Sequence, residues 1–164
     1  PYTTLFRSHL IKRFGGHAMA AGLSISLDHL EAFKEALNAY AQEHLDPALL
    51  ARTWRTDGVL EPHDLQLQQA QLLATAGPWG QAFEAPRFHG DFDLIQQRIV
   101  GQKHLKMVVA QQQTGELIDA ICFNVDLSIW PGEYQRVRLV YRMDVNEFLG
   151  RQSLQLIVEA MAPL

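Results

Sequence analysis

Between residues 88 and 158 the chain is written in period two, and this limits the fold more than any other feature. Phe88, Gly90, Phe92 and Leu94 alternate with His89, Asp91 and Asp93. Leu105, Met107 and Val109 alternate with His104, Lys106 and Val108. Leu117–Phe123 reads as an apolar run. Val137, Leu139, Tyr141 and Met143 alternate with Arg136, Arg138, Val140 and Arg142, and Leu154, Leu156 and Val158 with Gln155, Ile157 and Glu159. Side chains on a strand point to opposite faces in turn, so these segments predict closely spaced strands with one face buried. That is the pattern of a small five-stranded barrel. Ser128–Glu133 falls between the third and fourth strands, where such a barrel carries a helix or a long loop. Asn146–Arg151 predicts the last hairpin, with Gly150 in the turn.

Residues 9–86 read differently. Leu23–Leu27 alternates apolar and hydroxyl residues and predicts a half-buried strand. Asp28 with Glu31 matches a capping box, followed by Leu30, Phe33, Leu37 and Ala41 at helical spacing. Asp46-Pro47 marks the end of that helix or the start of a short one. Ala51–Leu60 is expected to be a strand. Pro62 suits a first helical turn, Leu65, Gln69, Leu72 and Leu73 form one helix face, and Gly77-Pro78 stops it. The fold class expected is therefore α+β, with a mixed part over 9–86 and an all-β barrel over 87–164. Residues 1–8, PYTTLFRS, resemble a sequencing adaptor translated in frame and are expected to be a non-native scar. A native strand or linker is the other reading.

Composition excludes several classes. Apolar residues make up 48% and charged residues 20%, which fits a globular chain and neither disorder nor a coiled coil. No stretch is long and apolar enough to span a membrane, and no secretory leader is apparent. Cys122 is the single cysteine, so no internal disulfide forms and a cytoplasmic location is expected. The net charge is −4, which excludes a strongly basic binder and leaves only local basic patches for a polyanion. The barrel is the less acidic part, with eight basic against nine acidic residues in 87–164.

Gly15-Gly16-His17 is the first candidate site. Two glycines allow positive φ and close approach by a ligand. If His17–Ala21 opens a short helix, its first amides make a phosphate site, with Lys12 and Arg13 adding charge and Gly22 ending the helix. A tight turn into a buried run of small residues explains the same string. GGHAMAAG over residues 15–22 resembles the GGHxxAAG signature of the DHH-associated domain of DHH-family phosphoesterases. That signature alone does not separate the family's exonucleases, oligoribonucleases and tRNA-editing domains.

Downstream residues narrow the resemblance. GPWGQAF at 77–83, HLK at 104–106, AICFN at 120–124 and NEFLGRQSLQ at 146–155 follow in an order similar to the C-terminal half of the RecJ family, bacterial single-strand-specific 5′→3′ DNA exonucleases. The resemblance runs over residues 9–164. Glu84-Ala85-Pro86 departs from the Pro-Glu-Pro expected at that point. The resemblance implies part of a DHH-associated domain followed by an OB-fold barrel. It implies a phosphate-binding role for Arg13, Gly15, Gly16 and His17. It also implies two divalent metals, manganese or magnesium, held by an N-terminal DHH domain whose Asp and His motifs do not occur here. No catalytic or metal-binding residue is assigned in this chain. Single-stranded DNA, a single-strand-binding protein and roles in recombination and repair are implied partners and processes. A monomer is expected.

The barrel carries its own candidates. An OB-type barrel binds single strands across its second and third strands and nearby loops, using cations for phosphates and aromatic faces for bases. Lys103, His104 and Lys106 cluster with Gln102 at the start of the second strand, and Arg98 and Arg151 lie at strand ends. Arg136, Arg138 and Arg142 share an outward face, a pattern that equally describes a solvated, edge-protecting surface. Trp79, Trp130, Tyr134 and Phe148 are aromatic residues in or beside loops, and Trp79 after Gly-Pro suits a packed seam better than a stacked base. Asp91 and Asp93 share a strand face without nearby histidines, which suits solvent better than metal. Cys122 reads as an inert core thiol. Two alternatives remain: a DHH-family phosphodiesterase acting on short RNA or cyclic dinucleotides, against which a barrel after the Gly-Gly-His part counts, and a stand-alone single-strand-binding module.

Overall fold

A computed structural model describes residues 10–17, 20–51 and 53–164. The expected scar at 1–8 lies outside the described residues. The chain divides into two compact units at Thr53/Trp54. Residues 54–86, grouped by sequence with the first part, therefore belong with the barrel.

In the first unit, β1 (Ile11–His17) pairs antiparallel with β2 (Ala20–Ile25), placing Gly15 opposite Gly22 and Gly16 opposite Ala21. This corrects the expected helix at His17–Ala21: His17 and Ala20 are strand partners. Gly22 ends no helix. Alternation is a weak signal in a stretch so rich in Gly and Ala, because these residues provide little apolar contrast between faces. α1 (Leu30–His44) follows a 3-10 turn at Leu27–His29 and buries Phe33. Asp28 lies inside that turn and does not cap the helix, whose N-terminus has no side-chain cap bond. Glu31 instead pairs with Lys34 at 2.7 Å. A second 3-10 turn starts at Pro47, where Asp46 accepts a hydrogen bond from the Ala48 amide at 2.9 Å.

The second unit begins as an extended strap. The strand expected over Ala51–Leu60 does not form as such. Two backbone bonds tie it beside the start of β3, from the Asp57 amide to the Arg87 carbonyl and from the His89 amide to the Gly58 carbonyl. A 3-10 turn with Pro62 in its first position leads to α2 (Leu67–Thr75). Ala70 is the residue α2 buries, while Leu72, placed on the packed face by periodicity, is 59% exposed.

Five strands then close a barrel in the order β3-β4-β5-β7-β6. They are β3 (Phe88–Val100), β4 (His104–Gln111), β5 (Leu117–Cys122), β6 (Arg136–Phe148) and β7 (Arg151–Pro163). β3 serves two neighbours: its first half pairs with β6 and its second with β4. A bulge at Leu94/Gln96 accompanies that change of partner and bends the strand. β5 and β7 are parallel, and every other pairing in the barrel is antiparallel. Leu105, Val109, Leu139 and Leu156 are fully buried inside. Each such side chain contributes roughly 1.5–3 kcal/mol by leaving water. Gly90 faces the same interior, where an added Cβ would come 3.3 Å from the Phe92 ring.

Both barrel ends are plugged. Leu65, with Leu60 near it, joins the core where β4 ends and β5 begins, and Leu73 packs on the same core. The β5–β6 loop buries Trp130 at the opposite end, with Tyr134 edge-on to it at 4.7 Å between ring centres. That connection is a loop, one of the two forms expected. The helix associated with the barrel precedes β3.

Candidate nucleic-acid interface

The register fixes which side chains share the outer face of β4 and β5. Lys106 stands between Arg98 of β3 and Ile121 of β5, and Val108 between Gln96 and Asp119. The Lys106 Nζ lies 3.7 Å from an Asp119 carboxylate oxygen, with both side chains about one-third exposed. Gln96, Arg98, Lys106, Val108 and Asp119 line a cleft of about 370 Å³. A second cleft of about 530 Å³ shares Val108 and Asp119 and lies between Glu116–Ile118, the lead-in to α2 at Leu65–Leu67, and Gln152–Leu154 of β7. The two adjoin at Val108 and Asp119 and together make a groove bordered by β4, β5, the lead-in to α2 and β7.

Two hairpins flank the groove. At one end, Gly101 takes φ 62° in the β3–β4 turn, which presents Lys103 to solvent. Lys103 is anchored through its own backbone, its carbonyl accepting from the Val125 amide at 2.9 Å. His104 Nδ1 accepts from the Asn124 amide at 3.2 Å, and its ring meets the half-exposed Phe123 ring edge-on at 5.1 Å. His104 and Lys106 alternate on β4 and Lys103 stands in the turn before them, each with a different neighbour: Phe123 for His104 and Asp119 for Lys106. At the other end, the β6–β7 turn carries Arg151 opposite Phe148.

Arg136 and Arg138 sit elsewhere, on β6 against the first half of β3. Arg138 makes a bidentate pair with Asp91 at 2.6 and 2.8 Å. Arg136 lies 3.7 Å from Asp93. Hydrogen bonds from Arg138 hold the Asp91 carboxyl below the usual carboxylate range, against the smaller opposing effect of burial. Arg142 donates to Glu159 at 2.6 Å, and Arg87 pairs with the same carboxylate. Burial tends to depress the Arg87 guanidinium, but hydrogen bonds to Glu159 and Glu84 outweigh it and leave it raised. The arginine stripe is therefore interleaved with carboxylates, among them Asp91 and Asp93, the pair weighed for metal. Among the described residues, no group of three or more His, Cys, Asp or Glu side chains is placed to hold a metal ion.

The other aromatic candidates pack. Trp79 donates its indole N–H to the Leu73 carbonyl at 3.1 Å and leans on Phe83. Trp130 is in the core. Phe148 alone of the four aromatic candidates stands well exposed, at 70%. Cys122 is buried, and burial raises its thiol.

Arg13, Gly15, Gly16 and His17 all lie on β1. Neither glycine takes a positive φ. Gly16 is required for close approach instead: an added Cβ would meet the Ala20 carbonyl oxygen at 2.6 Å, whereas at Gly15 the space is open. Sequence reasoning missed Asp119 and Phe123. The apolar residues on both sides of Asp119 hid its strand face, and Phe123 was read as part of the same run. Knowledge of the β4–β5 register would have exposed both.

A family model described as the RecJ OB domain matches residues 56–160. The chain is 46% identical over 162 residues to the single-stranded-DNA-specific exonuclease RecJ of Escherichia coli strain K12, covering 98% of this chain and 28% of that protein. It is 47% identical over 162 residues to the protein of the same description from Salmonella typhimurium, covering 98% and 28% in turn. The chain thus spans just over a quarter of the length of these curated relatives. The crystal structure of RecJ with Mn²⁺ from Thermus thermophilus superposes with a TM-score of 0.68 at 23% identity, covering 94% of this chain and 22% of that one. That likeness shows a shared fold. The barrel order, the β3 strand shared between two neighbours and the match over 56–160 place the chain in the RecJ OB-domain family.

Proposed function

We propose that this chain is the strand-holding, C-terminal portion of a single-stranded-DNA-specific 5′→3′ exonuclease. The observation that carries this reading is the groove over β4–β5, lined by Arg98 and Lys106 and flanked by Lys103 and Arg151. It lies on an OB barrel whose relatives are described as acting on single-stranded DNA. Lys103, Lys106, Arg98 and Arg151 contact phosphates, and Phe123 beside His104 offers an aromatic face to a base. On this reading the groove takes one strand and excludes duplex. Arg136 and Arg138 serve the fold by bonding the carboxylates of β3.

Hydrolysis belongs to another part of the enzyme, where divalent metals activate water. The part over 9–86 is read as the C-terminal part of a DHH-associated domain followed by a connecting helix, with Arg13 and His17 near a backbone phosphate. The enzyme is a monomer, works in recombination and repair, and meets a single-strand-binding protein there. A cytoplasmic setting accords with a lone buried thiol.

Anisotropy titration of labelled single-stranded and duplex oligonucleotides of equal length tests the reading. Tighter binding of the single strand supports it. Equal or tighter binding of duplex contradicts it.

A further inference from the structure

The β6–β7 hairpin extends past the barrel. β7 pairs with β5 only over Gln155–Val158, whereas its pairing with β6 continues to Phe148 opposite Arg151. Alternate residues of such an arm share a face. Gln155, beside Asp119 on the groove wall, is followed on the same face by Ser153 and then Arg151, with Phe148 directly across. On the other face Gln152 accepts from Gln71 of α2 at 2.9 Å, on the side where α2 borders the groove. The groove-side face therefore leads to an open tip, with Phe148 70% and Leu149 87% exposed. Leu149 takes φ 51° and Gly150 φ 74°, a turn ordinarily served by Asn-Gly. The tip thus holds two large apolar side chains in water, beside a cation, at the end of a polar path.

We infer that Phe148 is a stacking platform for an unpaired nucleobase and forms the last subsite of the groove. The inference rests on the single-strand reading above. An aromatic face takes any base, and Arg151 directly opposite can hold the adjoining phosphate. From Gln155 to Arg151 is four residues, about 13 Å along the strand. Only a strand long enough to reach from Lys106 to the tip engages both. Affinity must therefore rise in a step with strand length, and the step must belong to Phe148.

The test uses the whole chain and oligothymidylates of about four to about twelve nucleotides, within the range of OB-fold sites. The wild-type chain and Phe148→Trp are expected to show a step of at least about fivefold, which Phe148→Ala removes while binding of the shortest strands stays unchanged. A terminal 2-aminopurine on the longest strand is expected to be quenched by the wild-type chain and not by Phe148→Ala. Strand binding without a length step, or the same step in Phe148→Ala, overturns the platform alone. Failure to bind any strand overturns the groove reading, and the platform with it. Phe148 is exposed, so an unchanged melting curve is expected for both variants.

Discussion

Lys106 reaches across from β4 to Asp119 of β5, the two charged groups standing 3.7 Å apart in the groove where a phosphate is to be held. The carboxylate competes for the same ammonium. Exposed pairs of this kind contribute about 0.2–1 kcal/mol. Asp119→Asn is therefore expected to tighten single-strand binding by roughly two- to fivefold, by freeing Lys106 and removing a repelling charge. Anisotropy titration at low salt checks this. Weaker binding in the variant would mean that Asp119 orients Lys106 and does not compete with DNA.

The proposed division of labour predicts that the chain alone releases no nucleotides. The test incubates it with 5′-labelled single-stranded DNA and Mn²⁺ and resolves the products. Mononucleotide release well above a mock preparation would place a catalytic centre within these residues.

The two glycines of β1 make a matched pair. Gly16→Ala must displace the Ala20 backbone, whereas Gly15→Ala meets open space. Amide chemical shifts over β1 and β2 are expected to move broadly in the first variant and only locally in the second. Equal perturbation would contradict the hairpin register.

The Asp91–Arg138 pair gives a pH signature. Asp91 titrates lower in the folded chain than in the unfolded one, so the unfolded state binds more protons. The pair's contribution is present above the unfolded value near about pH 4 and is lost as pH falls through the folded value. Asp91→Asn removes that contribution. Its melting midpoint is expected to fall less than that of the wild-type chain between about pH 5 and about pH 3. Parallel curves would show that the bidentate contact contributes nothing in solution.

The barrel was legible because Val137, Leu139 and Tyr141, like Leu105, Met107 and Val109, announce an inward face by simple alternation. The Gly-Gly-His hairpin was not, because Gly and Ala carry little information about which face is buried. Helix boundaries failed where local competition decided them: Asp28 entered a 3-10 turn and Glu31 chose Lys34. The cationic cluster at Lys103–Lys106 could be read from spacing. The carboxylates at Asp91, Asp93 and Asp119 that bind or contest the cations could not, because cross-strand partners depend on register. The two opposed roles of the arginine stripe became separable only when β3 and β6 were paired.

The central claim is that clustered cations on the β4 side hold the phosphates of one strand. A salt titration of single-strand affinity tests it most directly, comparing wild type, Lys103→Ala/Lys106→Ala and Arg136→Ala/Arg138→Ala. Each phosphate contact contributes a slope of about −0.7 in log affinity against log salt, so losing both lysines should flatten the slope by about 1.4. The loss should be similar for all sequences, because phosphate contacts carry no base information. The arginine variant should leave the slope unchanged. An unchanged slope in the lysine variant, with a reduced slope in the arginine variant, would contradict the account and move the strand to the β3–β6 face.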